Sequence, residues 1–146
     1  YPLWLYAALC ERLGLATKAP EVALERAPGE VDLAARFNFG GPFSAELGAS
    51  IAEDLDREAW LSGEEWTLVI EGKWWNPQHI RWQGGTPPAA WPEDIYLPVQ
   101  GGGMQHEADH FTDCIRHRLL DSPWLSHALT RRVLGWVETG LHGAGR

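Results

Sequence analysis

An amphipathic pattern across residues 104–120 constrains the fold of this chain more than any other feature. At the 100° per residue of an α-helix, one face collects the apolar residues Met104, Ala108, Phe111, Ile115 and Leu119. The opposite face collects His106, His110, Asp113 and His117. Because an apolar stripe of this kind normally packs on a core, the sequence predicts a helix over 104–120 with that stripe buried.

Three further helices are predicted from capping residues and apolar rows. Residues 2–14 begin with a proline and end at Gly14. Residues 45–60 follow a cap at Ser44, and their apolar row is Leu47, Ile51 and Leu55. The last helix begins at Ser122-Pro123 and stops at Gly140, with a core row of Leu129, Val133, Trp136 and Val137.

Strand patterns are concentrated in the middle of the chain. Residues 65–75 alternate between two faces, Asn76-Pro77 marks a turn, and residues 79–83 predict the returning strand of a hairpin. Residues 31–39 give a weaker strand pattern, and the proline-rich residues 84–98 predict a long, semi-rigid loop. The expected fold is an α+β domain with a small antiparallel sheet, its central hairpin at about 65–83, packed against about four helices. At 146 residues, one globular domain over 1–146 is expected.

Charge and composition limit the classes of partner. The net charge is −8, and an acidic surface repels phosphate, so direct nucleic-acid contact is not expected and a basic protein partner suits the chain better. No apolar run approaches the roughly 20 residues that span a bilayer, so no contact with a membrane is expected. Cys10 and Cys114 have no metal-binding or disulfide spacing, which predicts reduced, buried thiols in a cytoplasmic protein.

The string His106-Glu107-Ala108-Asp109-His110 is the strongest chemical motif. On a helix, His106 and His110 lie one turn apart and can ligate zinc, while Glu107 can take a proton from a zinc-bound water. Zinc is therefore the cofactor that the sequence suggests. A third ligand has to come from elsewhere in the chain, and the alternatives left open are His79, Glu71 and Asp94.

The six residues from Gln105 to His110 resemble the metal-binding helix of peptide deformylases, which reads Gln-His-Glu-x-Asp-His. The resemblance implies a metal-dependent hydrolase. Members of that family also carry a Glu-Gly-Cys-Leu-Ser segment whose cysteine is a metal ligand. Here Glu71-Gly72 is followed by Lys73-Trp74 without a cysteine, so the family's ligand set is incomplete in this chain and is not carried over.

A second set of residues predicts a docking surface. Glu53, Asp54 and Asp56 are expected on the exposed side of the 45–60 helix, where they suit a basic partner. The hairpin also contains Trp74, Trp75 and Trp82. These side chains either pack in a tryptophan-rich core or act as aromatic anchors in an interface. The sequence therefore favours a small, acidic interaction or regulatory module, such as an inhibitor or accessory subunit. The alternative is a zinc-dependent hydrolase, and the sequence decides neither enzymatic activity nor oligomeric state.

Overall fold

The computed structural model describes residues 1–27, 31–86, 92, 94–98 and 101–143. In this part of the chain the elements are α1 (Pro2–Arg12), β1 (Glu21–Arg26), β2 (Asp32–Phe39), β3 (Ala45–Ser50), β4 (Ala59–Ser62), β5 (Thr67–Ile70), β6 (His79–Gln83), β7 (Asp94–Tyr96), α2 (Met104–Arg116) and α3 (His127–Gly143). The residues form two compact units. Unit 1 comprises Tyr1–Leu55 and Arg118–Arg146, and unit 2 comprises Asp56–His117.

The predicted α+β class is confirmed, but the predicted arrangement differs in two respects. The described residues form three helices, not about four, and two antiparallel sheets, not one. The first sheet has the order β1-β2-β3 and the second has the order β4-β5-β6-β7. Since compactness alone does not establish independent folding, the expectation of one domain over 1–146 stays a prediction. None of the described helices has the length and apolarity needed to cross a bilayer.

Unit 1 packs α1 and α3 on one face of its three-stranded sheet. Its buried cluster consists of Leu3, Tyr6, Ala7, Cys10, Phe37, Phe39, Leu129 and Trp136. The ring of Phe39 lies 4.2 Å from Tyr6 and 4.8 Å from Trp136, so an aromatic centre joins β2 to both helices. Burial raises the pKa of Tyr6 to about 12, and its hydroxyl donates to the carbonyl of Phe43 at 2.9 Å.

The ends of α1 and α3 follow local rules. Gly14 adopts a φ of +66° just after α1, and the Leu15 amide bonds the Cys10 carbonyl at 2.8 Å, which is a glycine-dependent helix stop. The core row predicted for the last helix is confirmed, since Leu129 and Trp136 are buried and Val133 and Val137 pack against them.

The predicted bounds of the last helix are wrong at both ends. Ser122 caps a short turn, and the helix begins only after Ser126, whose hydroxyl accepts the Leu129 amide at 3.0 Å. The predicted stop at Gly140 lies inside α3. A Cβ added at Gly140 would lie 2.7 Å from Cγ1 of Val22, so this glycine allows α3 to approach β1 closely.

The predicted helix over 45–60 is wrong. Residues Ala45–Ser50 form β3, which pairs with β2 in antiparallel register. The spacing of four between Leu47 and Ile51 fits both the helical period and the strand period, so the apolar row alone could not separate them. Gly48 weakens a helix at this point, and pairing with β2 decides the outcome. After β3 the Ser50 hydroxyl accepts the amides of Ala52 and Glu53, which turns the chain.

Unit 2 contains the second sheet, and the hairpin predicted around Asn76-Pro77 is present. The strand predicted over 65–75 is too long, because only Thr67–Ile70 forms β5, whereas the returning strand His79–Gln83 forms β6 as predicted. Strands β5 and β6 pair antiparallel, with Thr67 opposite Gln83 and Ile70 opposite Ile80. The register gives the sheet one wholly apolar face, made by Ala59, Leu61, Leu68, Ile70, Ile80, Trp82 and Ile95. The other face is mixed, because it carries Glu71, His79, Arg81 and Asp94 together with Trp60 and the fully buried Val69.

Two predictions about the remaining segments have different outcomes. The weak strand over 31–39 is confirmed by β2, which is the central strand of its sheet. The loop predicted over 84–98 is wrong in part, because Asp94–Tyr96 forms β7 on the edge of the second sheet. Residues 87–91 and 93 of that predicted loop lie outside the described residues.

Candidate functional site

Helix α2 confirms the predicted amphipathic helix but not the predicted burial of its apolar face. The helix covers Met104–Arg116 and ends before Arg118, whose φ of +53° is incompatible with helix. None of its residues is buried, and the side chains of Met104, Phe111 and Ile115 are 73%, 65% and 61% exposed. Ala108 and Leu119 are exposed as well. Among the described elements of unit 2, no strand packs against α2.

The sequence was insufficient to predict this exposure, because amphipathicity reports which face prefers an apolar surrounding and not whether the chain supplies one. The helix also begins without a side-chain cap, after Gly103 in the left-handed conformation. At its other end, the ring of His117 bonds the Asp113 carbonyl at 2.8 Å and Arg116 pairs with the Asp113 carboxylate at 3.4 Å. Both of these contacts lie within the C-terminal turn of α2.

The two histidines proposed to ligate zinc lie on the other side of α2. His106 and Glu107 are exposed, and His110 is half-buried with its Nε2 atom 3.5 Å from the Cys114 sulfur. Across the described parts of the chain, no group of three or more His, Cys, Asp or Glu side chains is arranged to hold a metal ion. The pair His106 and His110 therefore gains no third ligand from these residues, and the metal site stays a prediction.

The acidic residues of the predicted docking surface do not share a helix. Glu53 follows β3 and lies 3.8 Å from the Arg36 guanidinium, and Asp54 follows it in the same turn. Asp56 belongs to unit 2, where its carboxylate accepts the Glu58 amide at 3.2 Å. The structure therefore divides these three residues between a turn of unit 1 and the start of unit 2.

The three tryptophans of the predicted docking surface also occupy two places. Trp74 and Trp75 lie in the connection between β5 and β6, so strand alternation does not direct them, and their rings meet edge to face at 5.8 Å. Trp75 is exposed and Trp74 is half-buried. Trp82 lies towards the far end of β6, opposite Leu68, and stacks on Trp66 at 5.0 Å. Trp82 is half-buried, which fits a tryptophan-rich core, and Trp75 is exposed, which fits an aromatic anchor. Both alternatives therefore stay open.

The three residues considered as a third zinc ligand form a cluster of their own. His79 on β6 contacts Glu71 through Nδ1 at 2.8 Å and Asp94 through Nε2 at 3.1 Å. Arg81 also bonds Glu71 through its Nε atom. Because both ring nitrogens contact carboxylates, this cluster is a set of ion pairs across neighbouring strands and not an open ligand set.

The pKa values in this cluster shift in opposite directions. Hydrogen bonds from Arg81 and His79 lower the pKa of Glu71, and the bond to Glu71, followed by that to Asp94, raises the pKa of His79. Glu71 and His79 flank the hairpin turn, so their proximity could be inferred from the hairpin register. Asp94 could not, because the sequence placed it in a loop.

When compared with models of protein families and with curated proteins, the sequence matches none of them.

Proposed function

We propose that this chain is a protein-interaction module that binds another protein through the apolar face of α2. The observation that carries the proposal is the exposure of that face, where Met104, Phe111 and Ile115 are each more than half exposed. Contiguous exposed apolar surface bordered by polar residues is typical of interaction sites in proteins. Burying the apolar face of residues 104–116 releases hydrophobic free energy, and an apolar surface on a partner would provide that burial.

The length and spacing of α2 support binding as a helix in a groove. A helix of this length is marginal in water unless its apolar face is packed, so association would also stabilise the helix. Met104, Ala108, Phe111 and Ile115 follow the three-and-four spacing by which one helix face enters an apolar groove. Phe111 is the central anchor, because large aromatic side chains contribute most of the affinity at such interfaces.

Charge indicates the chemistry of the partner. Helix α2 is more acidic than basic. It carries one guanidinium, on Arg116, and three carboxylates, on Glu107, Asp109 and Asp113. The whole chain carries a net charge of −8. A protein with an apolar groove bordered by lysine or arginine would match both properties, and the opposite charges would increase the association rate. We therefore still propose a basic partner, as expected from the sequence, but we assign the main docking surface to α2.

The two surfaces proposed from the sequence stay candidates for a secondary contact. Trp75 is half-exposed at the end of the hairpin and could anchor an aromatic contact. Glu53 and Asp54 lie on an exposed turn of unit 1 and could attract a basic surface over a longer range. Neither has the continuous apolar area of α2, so we rank them below it.

A site-specific cross-linking experiment tests the proposal. A photoreactive benzoylphenylalanine replaces Phe111 in one protein and Asp113, on the opposite face, in a matched control. After illumination in cells of the source organism, mass spectrometry should identify one partner peptide attached at position 111 and absent at position 113. That peptide should be apolar with lysine or arginine close by. Equal cross-linking from both positions, or cross-links at 111 only to a second copy of this chain, would contradict the proposal.

Binding of the purified partner provides the quantitative test. Ile115→Asp should abolish binding while leaving the circular dichroism of both units unchanged, because Ile115 packs on no strand of unit 2 among the described residues. Glu107→Lys should slow association at low salt, and the difference from wild type should disappear near 1 M salt, where the screening length falls to about 3 Å. Wild-type affinity in Ile115→Asp would exclude this face as the docking surface.

The zinc-hydrolase hypothesis has a separate test. We expect protein purified without chelator to contain zinc well below one equivalent, measured by elemental analysis, and His110→Ala to leave that content unchanged. Near-stoichiometric zinc that His110→Ala or His106→Ala removes would favour the hydrolase, with Glu107 as the base acting on the bound water.

A further inference from the structure

The sheet of unit 2 holds one histidine between carboxylates that come from strands on both of its sides. Nδ1 of His79 lies 2.8 Å from Oε2 of Glu71, which directly follows β5. Nε2 of the same ring lies 3.1 Å from Oδ1 of Asp94, the first residue of β7. The ring on β6 therefore connects the residue that follows β5 with the first residue of β7.

The protonation state of the ring decides how many of these contacts are hydrogen bonds. A protonated imidazole carries two N–H groups and can donate to Glu71 and Asp94 together, whereas a neutral imidazole carries one. In the neutral ring, the second nitrogen presents a lone pair to a carboxylate oxygen, and the contact becomes repulsive. Loss of one proton from His79 thus breaks one of the two bridges.

The bridge to Asp94 is the weaker of the two. Glu71 is fixed by the Nε atom of Arg81 and by its own backbone amide, which bonds the His79 carbonyl at 3.0 Å. The side chain of Asp94 is 67% exposed, whereas that of Glu71 is 31% exposed. A neutral His79 would accordingly keep Glu71 as its partner, with the Nδ1 proton, and release Asp94.

Among the described residues, strand β7 has few other contacts. It has three residues and, within that part of the chain, pairs with β6 alone, as the edge strand of the sheet. The Leu97 amide, just beyond it, donates to the Gln78 carbonyl at 2.7 Å. The Tyr96 ring lies edge-on to the His79 ring, with centroids 6.4 Å apart. A short edge strand of this kind opens at a low free-energy cost, so a single side-chain bridge can shift its equilibrium.

We propose that Glu71, His79 and Asp94 form a pH-dependent clamp, which holds β7 on the sheet while His79 is protonated and releases it when His79 is neutral. The ionisable side chains that face His79 in the described part of unit 2 are Glu71 beside β5, Arg81 on β6, and Asp94 and Tyr96 on β7. The device would set how firmly β7 and Leu97 are held against β6. It does not depend on the docking function proposed for α2.

The direction of the pH effect follows from the shifted pKa of His79. The pKa of His79 is raised in the folded protein, chiefly by the bond to Glu71, so the clamp contributes fully below the ordinary histidine value near 6.5 and is lost as pH rises through the raised value. At the acid end the clamp is lost when its carboxylates are protonated, and the lowered pKa of Glu71 keeps that partner ionised to lower pH. The clamp therefore acts in mildly acidic to neutral solution.

Nuclear magnetic resonance of the whole chain tests the clamp. The His79 ring resonances give its pKa, and hydrogen exchange of the Leu97 amide, expressed as a protection factor so that the intrinsic pH dependence of exchange cancels, reports the opening of β7. We expect Leu97 protection to fall several-fold as pH rises through the His79 pKa. An unchanged protection factor across that titration would overturn the proposal.

Two variants and a control separate the clamp from general charge effects. Asp94→Asn should lower the His79 pKa and make Leu97 protection independent of pH, and His79→Gln should hold it at the high-pH value of the wild type throughout. Glu65→Gln removes one carboxylate elsewhere in unit 2 and should preserve the wild-type pH dependence. The proposal fails if Asp94→Asn retains the wild-type pH dependence or if Glu65→Gln abolishes it.

Discussion

Helices α3 and α2 have similar amphipathic sequences and opposite surroundings. In unit 1, α3 inserts Leu129 and Trp136 into the core against α1 and β1, and these side chains are 2% and 6% exposed. In unit 2, α2 presents Phe111 and Ile115 to solvent. An amphipathic pattern therefore shows which face of a helix favours an apolar surrounding. Whether that face is buried depends on what the rest of the chain packs against it. We interpret the packed helix as structural and the unpacked helix as the binding element.

The largest effect is expected from Leu129→Ala in the packed helix. Removing a fully buried leucine side chain from a close-packed core costs about 2–5 kcal/mol of unfolding free energy. Urea denaturation followed by far-ultraviolet circular dichroism measures this loss. A loss below about 1 kcal/mol would mean that α3 is not anchored as its burial indicates, and the contrast with α2 would weaken.

A smaller effect is expected from Gly140→Ala, which tests how closely α3 approaches the sheet. The added methyl group would lie 2.7 Å from Cγ1 of Val22, and overpacking of this kind costs about 1–3 kcal/mol. Gly135→Ala is the matched control on the same helix, because no atom lies within 4 Å of its added methyl group. There we expect a gain of about 0.5–1 kcal/mol from helix propensity. Equal effects in thermal denaturation would contradict the close contact at Gly140.

The next largest loss of stability is expected from removing the cap at the N-terminus of α3. Ser126→Ala removes the hydroxyl that accepts the Leu129 amide, at a cost of about 1 kcal/mol. The comparison with α2 is direct, since α2 begins at Gly103 without a side-chain cap. Hydrogen exchange of the first-turn amides should increase in Ser126→Ala, and the wild-type first turn of α2 should already exchange faster than that of α3. Slower exchange in α2 would contradict its description as the less stabilised helix.

The smallest effect on stability is expected from Phe111→Ala in the unpacked helix. An exposed side chain that packs on none of the described strands of its unit should change the unfolding free energy by less than about 0.5 kcal/mol. The same change should strongly weaken binding to the partner identified by cross-linking. A large loss of stability in the purified chain would show that the Phe111 face is buried in solution, and the proposed docking surface would then be wrong.

Local patterns predicted several elements of the fold. Gly14 predicted the end of α1, and the apolar row of α3 predicted its buried face. Each pattern fits only one local structure at its position. The row of Leu47 and Ile51 misled because a spacing of four fits both a helix and a strand, and only pairing with β2 separates the two. Tertiary context outweighed local propensity there.

The candidate sites were less accessible from sequence than the fold. The histidine face of α2 and the position of Phe111 on the apolar face followed from helical spacing, but the exposure of Phe111 required knowledge of what packs nearby. The cluster around His79 depends on strand β7, which has three residues and follows a proline-rich stretch. Strands this short carry too little periodic signal to be predicted, so the contact with Asp94 became visible only in the structure.

The chain order of the two units has a consequence for folding kinetics. Unit 2 is inserted between the two segments of unit 1, so the contacts that complete unit 1 join distant parts of the chain. Arg26, for example, donates to the Leu141 carbonyl across 115 positions. Closing a flexible loop of that length costs on the order of 4 kcal/mol in chain entropy. Early folding of unit 2, whose strand pairs are local, would shorten the flexible part of the loop, and the assembly of α1 with α3 should therefore be the late, slow step.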